Sequence, residues 1–124
     1  MGFIQVLLLC GLMLAVAACT HSTNAGFSAA EQQQLVQVEF IRPYELSRAD
    51  VSYTARGEVS GSSCQVLANQ PAPTQAEALL RLKLAAAAVG ANRVILRQCS
   101  QVTTPACTAS WICIGDAHQQ QPLR

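Results

Sequence analysis

Four cysteines constrain the fold of this chain more than any other residues. Cys64, Cys99, Cys107 and Cys113 are separated by 34, 7 and 5 residues. A tetrahedral zinc site draws its thiolates from close pairs such as C-x2-C, and neither such a pair nor a histidine at a ligand spacing is present. An even number of cysteines in a short exported chain reads instead as two disulfides. Three connectivities are open to the sequence alone. A domain of this size has little stability to spare from burial, and three Phe, two Tyr and one Trp leave it a small, largely aliphatic core.

Export is indicated by the first residues. Positions 3–18 form an uncharged apolar run, and Val16-Ala17-Ala18-Cys19 places small residues directly before a cysteine. That pattern looks like a bacterial lipobox, in which Cys19 is diacylated on sulfur and becomes the new N-terminus. The start lacks the Lys or Arg of an ordinary secretory signal. A transmembrane anchor is the alternative, but about 16 residues fall short of the ~20 a spanning helix needs. Thr20 in place of Asp resembles lipoproteins sent on to the outer membrane. Residues 1–18 are therefore expected to be a lipoprotein signal peptide, and residues 19–34 a lipidated N-terminus with a flexible tether, since THSTNAGFSAAEQQQ is polar and aperiodic. All eight Lys/Arg and all seven Asp/Glu follow Cys19 without a run of one sign. Such a surface offers no nucleic-acid footprint and no polybasic membrane patch.

The folded domain is expected over residues 35–118. Residues 35–41 (LVQVEFI) alternate and predict a strand with Val36, Val38 and Phe40 on one face, stopped by Pro43. Residues 51–59 predict a second strand with Gly57 at a bulge, followed by a Ser60-Gly61-Ser62-Ser63 loop that delivers Cys64. Thr74 and Glu77 form a capping box for a helix that ends before Gly90. Its apolar stripe is Leu79, Leu82, Ala86 and Val89, with Leu80 and Ala85 at its margins, and Glu77 and Arg81 can pair on the solvent face. Residues 93–98 read as a buried strand, residues 100–110 as a loop, residues 111–116 as the last strand, and residues 119–124 as a disordered tail. The pattern predicts a small α+β domain with about four strands, one main helix and two disulfides.

Catalytic chemistry has no constellation to rest on. His21 lies in the tether and His118 near the frayed end, so neither is oriented as a base. Gly61-Ser62-Ser63 lacks nucleophile-elbow spacing, and Asp50, Glu58 and Asp116 fall on different elements. No glycine loop cradles phosphate, and no C-x-x-C opens a helix. A binding or signalling module without cofactor or metal is the expectation, with a structural or metal-binding periplasmic lipoprotein as the alternative.

Two blocks carry a resemblance. The first is GEVSGSSCQ at 57–65; the second is ANRVILRQC at 91–99, followed by Pro105-Ala106-Cys107 and Cys113-Ile114-Gly115-Asp116-Ala117. With a lipobox in front and a helix between, the chain resembles the RcsF family over residues 36–118. Members are outer-membrane lipoproteins that sense envelope damage for the Rcs phosphorelay. The resemblance implies a small mixed sheet with interlaced disulfides, Cys64–Cys107 and Cys99–Cys113, and a hairpin centred near Ala106 is compatible with them. It also implies partners: the barrel protein BamA and porin-type barrels in the outer membrane, and the inner-membrane inhibitor IgaA. The tether departs from the family's proline- and lysine-rich form, since residues 20–34 contain neither.

Overall fold

The computed structural model describes residues 26–123. The signal segment, Cys19, His21 and the first part of the expected tether lie outside the described residues.

The chain enters through a helix where a tether and then a strand were expected. In α1 (Ala29–Gln37) the Ser28 hydroxyl accepts from the Glu31 amide at 3.1 Å, and the Ser28 amide donates to the Glu31 carboxylate at 3.0 Å. This reciprocal box satisfies two of the helix's orphan donors. The helix buries only Leu35, and Val36, expected on an inward strand face, is 78% exposed. The strand shrinks to β1 (Glu39–Ile41), and a 3-10 turn over Pro43–Ser47 follows.

β2 (Val51–Gln65) runs straight through the expected Ser60–Ser63 loop. A register shift between Ala55 and Gly57 marks the bulge, and Gly57 adopts φ +97°, which a side chain would resist. Beyond it, Val59, Gly61 and Ser63 are buried while their neighbours are exposed, the period-two signature of a strand covered on one face. The cover is α2 (Gln75–Ala88), which buries Ala78, Leu82 and Ala86 completely. Its buried stripe is rotated from the expected one, so Leu79 is only partly buried and Val89 is 42% exposed. Gly61 explains the rotation: a Cβ there would lie 2.1 Å from the Leu82 amide nitrogen and 2.5 Å from the Ala78 carbonyl oxygen. The helix backbone rests directly on the strand. Gly90, at φ +78°, ends α2.

β3 (Arg93–Val102) and β4 (Ala109–Pro122) complete a four-stranded sheet of order β1-β3-β4-β2. β1 is parallel to β3; β4 is antiparallel to both β3 and β2. The segment expected to fray is thus the end of β4, one of the two inner strands. His118 pairs with Arg93 on one side and Ala55 on the other. Asn92 fastens it further, its side chain donating to the Gln120 carbonyl at 3.1 Å and accepting from the Gln120 amide at 2.7 Å. Beyond His118 the polar stretch pairs with β2 alone, and the Asn92 side chain satisfies the Gln120 backbone on the other edge. The result is a small α+β domain with a four-stranded sheet, two helices and two disulfides.

Candidate functional site: the stapled end of the sheet

The four cysteines converge on one end of the β2–β4–β3 sheet but on its two faces. Cys99 and Cys113 are direct cross-strand partners, bridged with Cα atoms 4.1 Å apart. Cys113 is fully buried and Cys99 packs against the core under α2. Cys64 is bridged to Cys107 with Cα atoms 5.6 Å apart. It follows the buried Ser63, so it points to the opposite, open face and is exposed. This second bridge ties the end of β2 to the loop between β3 and β4. The loop is also held by Thr108, whose amide and hydroxyl both donate to the Gln65 carbonyl at 2.8 Å.

Ser63 joins this end to the start of α2. Thr74 caps the helix, its hydroxyl accepting from the Glu77 amide at 3.1 Å. The second half of the expected capping box runs through Ser63 instead. The Thr74 amide donates to the Ser63 hydroxyl at 3.1 Å, and that hydroxyl donates to the Glu77 carboxylate at 3.0 Å. Ser63 is 1% exposed, so a buried strand hydroxyl links the strand to the half-exposed helix cap. Glu77 also accepts from Arg81 at 3.1 Å.

Glu58 and Asp116, separate in the sequence, are register partners on β2 and β4. Arg97 sits in the β3 bulge between Leu96 and Gln98 and reaches both, at 2.9 Å from Glu58 and 3.3 Å from Asp116. The bulge re-aims one side chain so that it spans three strands on the open face. All three groups are solvated, so the contribution to stability is small. Asp50 instead pairs with Arg48, which donates two hydrogen bonds at 2.9 and 2.6 Å. Those bonds hold the Asp50 carboxyl below the usual carboxylate range. The His118 ring meets the Tyr53 ring edge-on, at 6.4 Å between centroids. Among the described residues no group of three or more His, Cys, Asp or Glu could hold a metal ion.

The N-terminal junction is docked on α2. The Arg81 guanidinium lies 5.2 Å from the Phe27 ring centroid, the Gln32 side chain donates to the Phe27 carbonyl at 3.2 Å, and Leu35 is buried. Lys83 lies 5.3 Å from the Phe40 ring centroid on the same helix. Three participants escape sequence reasoning: Ser63, Arg97 and Phe27. Only the Ser28-x-x-Glu31 spacing was a usable signal that the chain is ordered ahead of residue 35.

Comparison with known proteins bears on the whole unit. The chain is 39% identical over 62 residues to the outer membrane lipoprotein RcsF of Escherichia coli strain K12, and equally to that of E. coli O6:H1 strain CFT073. That match covers 49% of this chain and 46% of each relative, so the chain spans about half the length of the curated relatives it matches. The model of the RcsF lipoprotein family matches residues 15–120. That span takes in both helices, all four bridged cysteines and nearly all of the sheet, and the chain belongs to the RcsF lipoprotein family.

Proposed function

We propose that this chain is an outer-membrane lipoprotein, anchored through lipid on Cys19, that senses envelope stress and activates the Rcs phosphorelay by relieving an inner-membrane inhibitor. The family match over residues 15–120 carries this reading, because it includes Cys19 together with the folded domain. IgaA is the inhibitor that the family points to, and BamA and porin-type barrels are the outer-membrane partners. Among the described residues no helix is long and apolar enough to cross a membrane.

Reach follows from covalent geometry. Residues 20–28 can extend at most about 30 Å, and α1 adds only about 1.5 Å per residue. A domain on such a leash stays near its own membrane until a partner releases it or the gap closes. Overproduction in a strain carrying a phosphorelay reporter tests the reading: output is expected to rise, and a flat response at confirmed protein levels would leave a purely structural lipoprotein. A Cys19→Ala form should leave the outer-membrane fraction, and its retention there would reject the lipid anchor.

A further inference from the structure

The two disulfides differ in what a reductant meets. Cys99–Cys113 lies beneath α2, with Cys113 fully buried. A thiolate must approach a disulfide sulfur directly to displace its partner, and here Cys113 is closed off in the core while Cys99 is half-buried against it. Cys64 is exposed on the open face and Cys107 sits half-buried in a loop. The loop on the other side of Cys64 presents Val66 and Leu67, 53% and 56% exposed. Those apolar side chains beside an open bridge offer a footing for a protein thiol, where a charged rim would not.

The local frame survives without the bridge. Thr108 remains bonded twice to the Gln65 carbonyl at 2.8 Å. Cys107 and Thr104 exchange backbone hydrogen bonds at 3.2 Å, and the Thr104 hydroxyl accepts from the Cys107 amide at 3.1 Å. Ser63 continues to hold the helix cap. Two freed cysteines would therefore stay within reach of each other.

We propose that Cys64–Cys107 is a thiol–disulfide exchange site for a dithiol protein or small dithiol, while Cys99–Cys113 is a permanent crosslink. The proposal does not depend on the signalling reading. The dithiol's thiolate attacks at Cys64, the more exposed of the two, forming a mixed disulfide and releasing Cys107 as a thiolate that takes up a proton. The second thiol of the reductant, deprotonated, then displaces Cys64 and leaves with its partner as a disulfide. Two electrons pass to the bridge, and both cysteines end as thiols.

Graded reduction of the oxidised full domain with dithiothreitol under native conditions tests this, with alkylation and peptide mapping at each time. Cys64 and Cys107 should label faster than Cys99 and Cys113 by roughly tenfold or more, as expected when one bridge opens locally and the other only on global unfolding. Adding denaturant below the unfolding midpoint separates the routes. It should accelerate reduction of Cys99–Cys113 and leave Cys64–Cys107 nearly unchanged. Simultaneous labelling of all four cysteines, labelling of Cys99 and Cys113 first, or equal denaturant dependence would each overturn the assignment.

Discussion

Replacing Gly61 by Ala puts a methyl group where the backbone of α2 already is. The new Cβ would lie 2.1 Å from the Leu82 nitrogen, 2.5 Å from the Ala78 oxygen and 2.6 Å from the Arg81 carbonyl carbon. Normal contact is about 3.5 Å or more, so the helix must lift by roughly 1 Å. A buried Leu makes some 40–60 contacts worth about 0.1–0.2 kcal/mol each, and a lift of that size forfeits at least a quarter of the affected well. For Leu82 alone the loss is roughly 2 kcal/mol, and Ala78 and Ala86 ride on the same helix face. The expected total is about 3 kcal/mol, the upper end of overpacking costs. Gly57→Ala is the control, because nothing lies within 4 Å of a Cβ there and only its φ of +97° is penalised, at about 1–2 kcal/mol. Guanidinium unfolding with disulfides intact, followed by Trp111 fluorescence and far-UV dichroism, measures both. If Gly61→Ala cost no more than Gly57→Ala, the close helix–strand contact would be wrong.

Other substitutions should follow the same geometry. Ser63→Ala removes the hydroxyl that joins the Thr74 amide to the Glu77 carboxylate, so a loss of about 0.5–1.5 kcal/mol is expected, with faster amide exchange in the first turn of α2. Removing the Cys64–Cys107 pair, which spans 43 residues, should cost about 4 kcal/mol, and removing Cys99–Cys113, which spans 14, about 3 kcal/mol before any cavity effect; a reversed order in chemical denaturation would count against loop closure as the main cause. The Asp50 carboxyl should titrate below an ordinary aspartate and return toward it in Arg48→Ala, as NMR can read. Its contribution is present above the ordinary carboxylate pKa and lost as pH falls through the depressed folded value. A flexible insert between Ala25 and Gly26 should raise basal phosphorelay output if reach limits signalling, whereas one after Gln34 would cut α1 and is no test of reach.

What could be read in the sequence was what local chemistry decides. α2 was legible because Thr74, Glu77 and Gly90 are punctuation that works within one turn. Gly57 was legible for the same reason. Residues 60–63 read as a loop because Gly and Ser carry weak strand propensity. Here a helix backbone on top of Gly61 requires that smallness, and a tertiary contact overrides propensity. The polar HQQQ segment read as a tail because nothing local announces that β2 will pair along it and that Asn92 will hold its other edge. α1 was hidden by a glutamine run with a single buried residue, Leu35, which leaves no hydrophobic period to detect. The pairing of Glu58, Arg97 and Asp116 depends on strand order and a bulge, and neither is written in any local window.

The inner strand that joins β2 to the rest of this sheet is the last of the four along the chain. A protein exported from its N-terminus therefore presents β2 and β3 to the periplasm before the strand that must lie between them. For that interval both carry open edges, the usual template for pairing with other chains. Of the four bridging cysteines, Cys64 and Cys99 arrive first, and neither is the other's native partner. An oxidant acting on the emerging chain would join those two and trap the sheet without its centre. Correct assembly thus depends on timing: oxidation must wait for Cys107 and Cys113, or an isomerase must undo the early bridge.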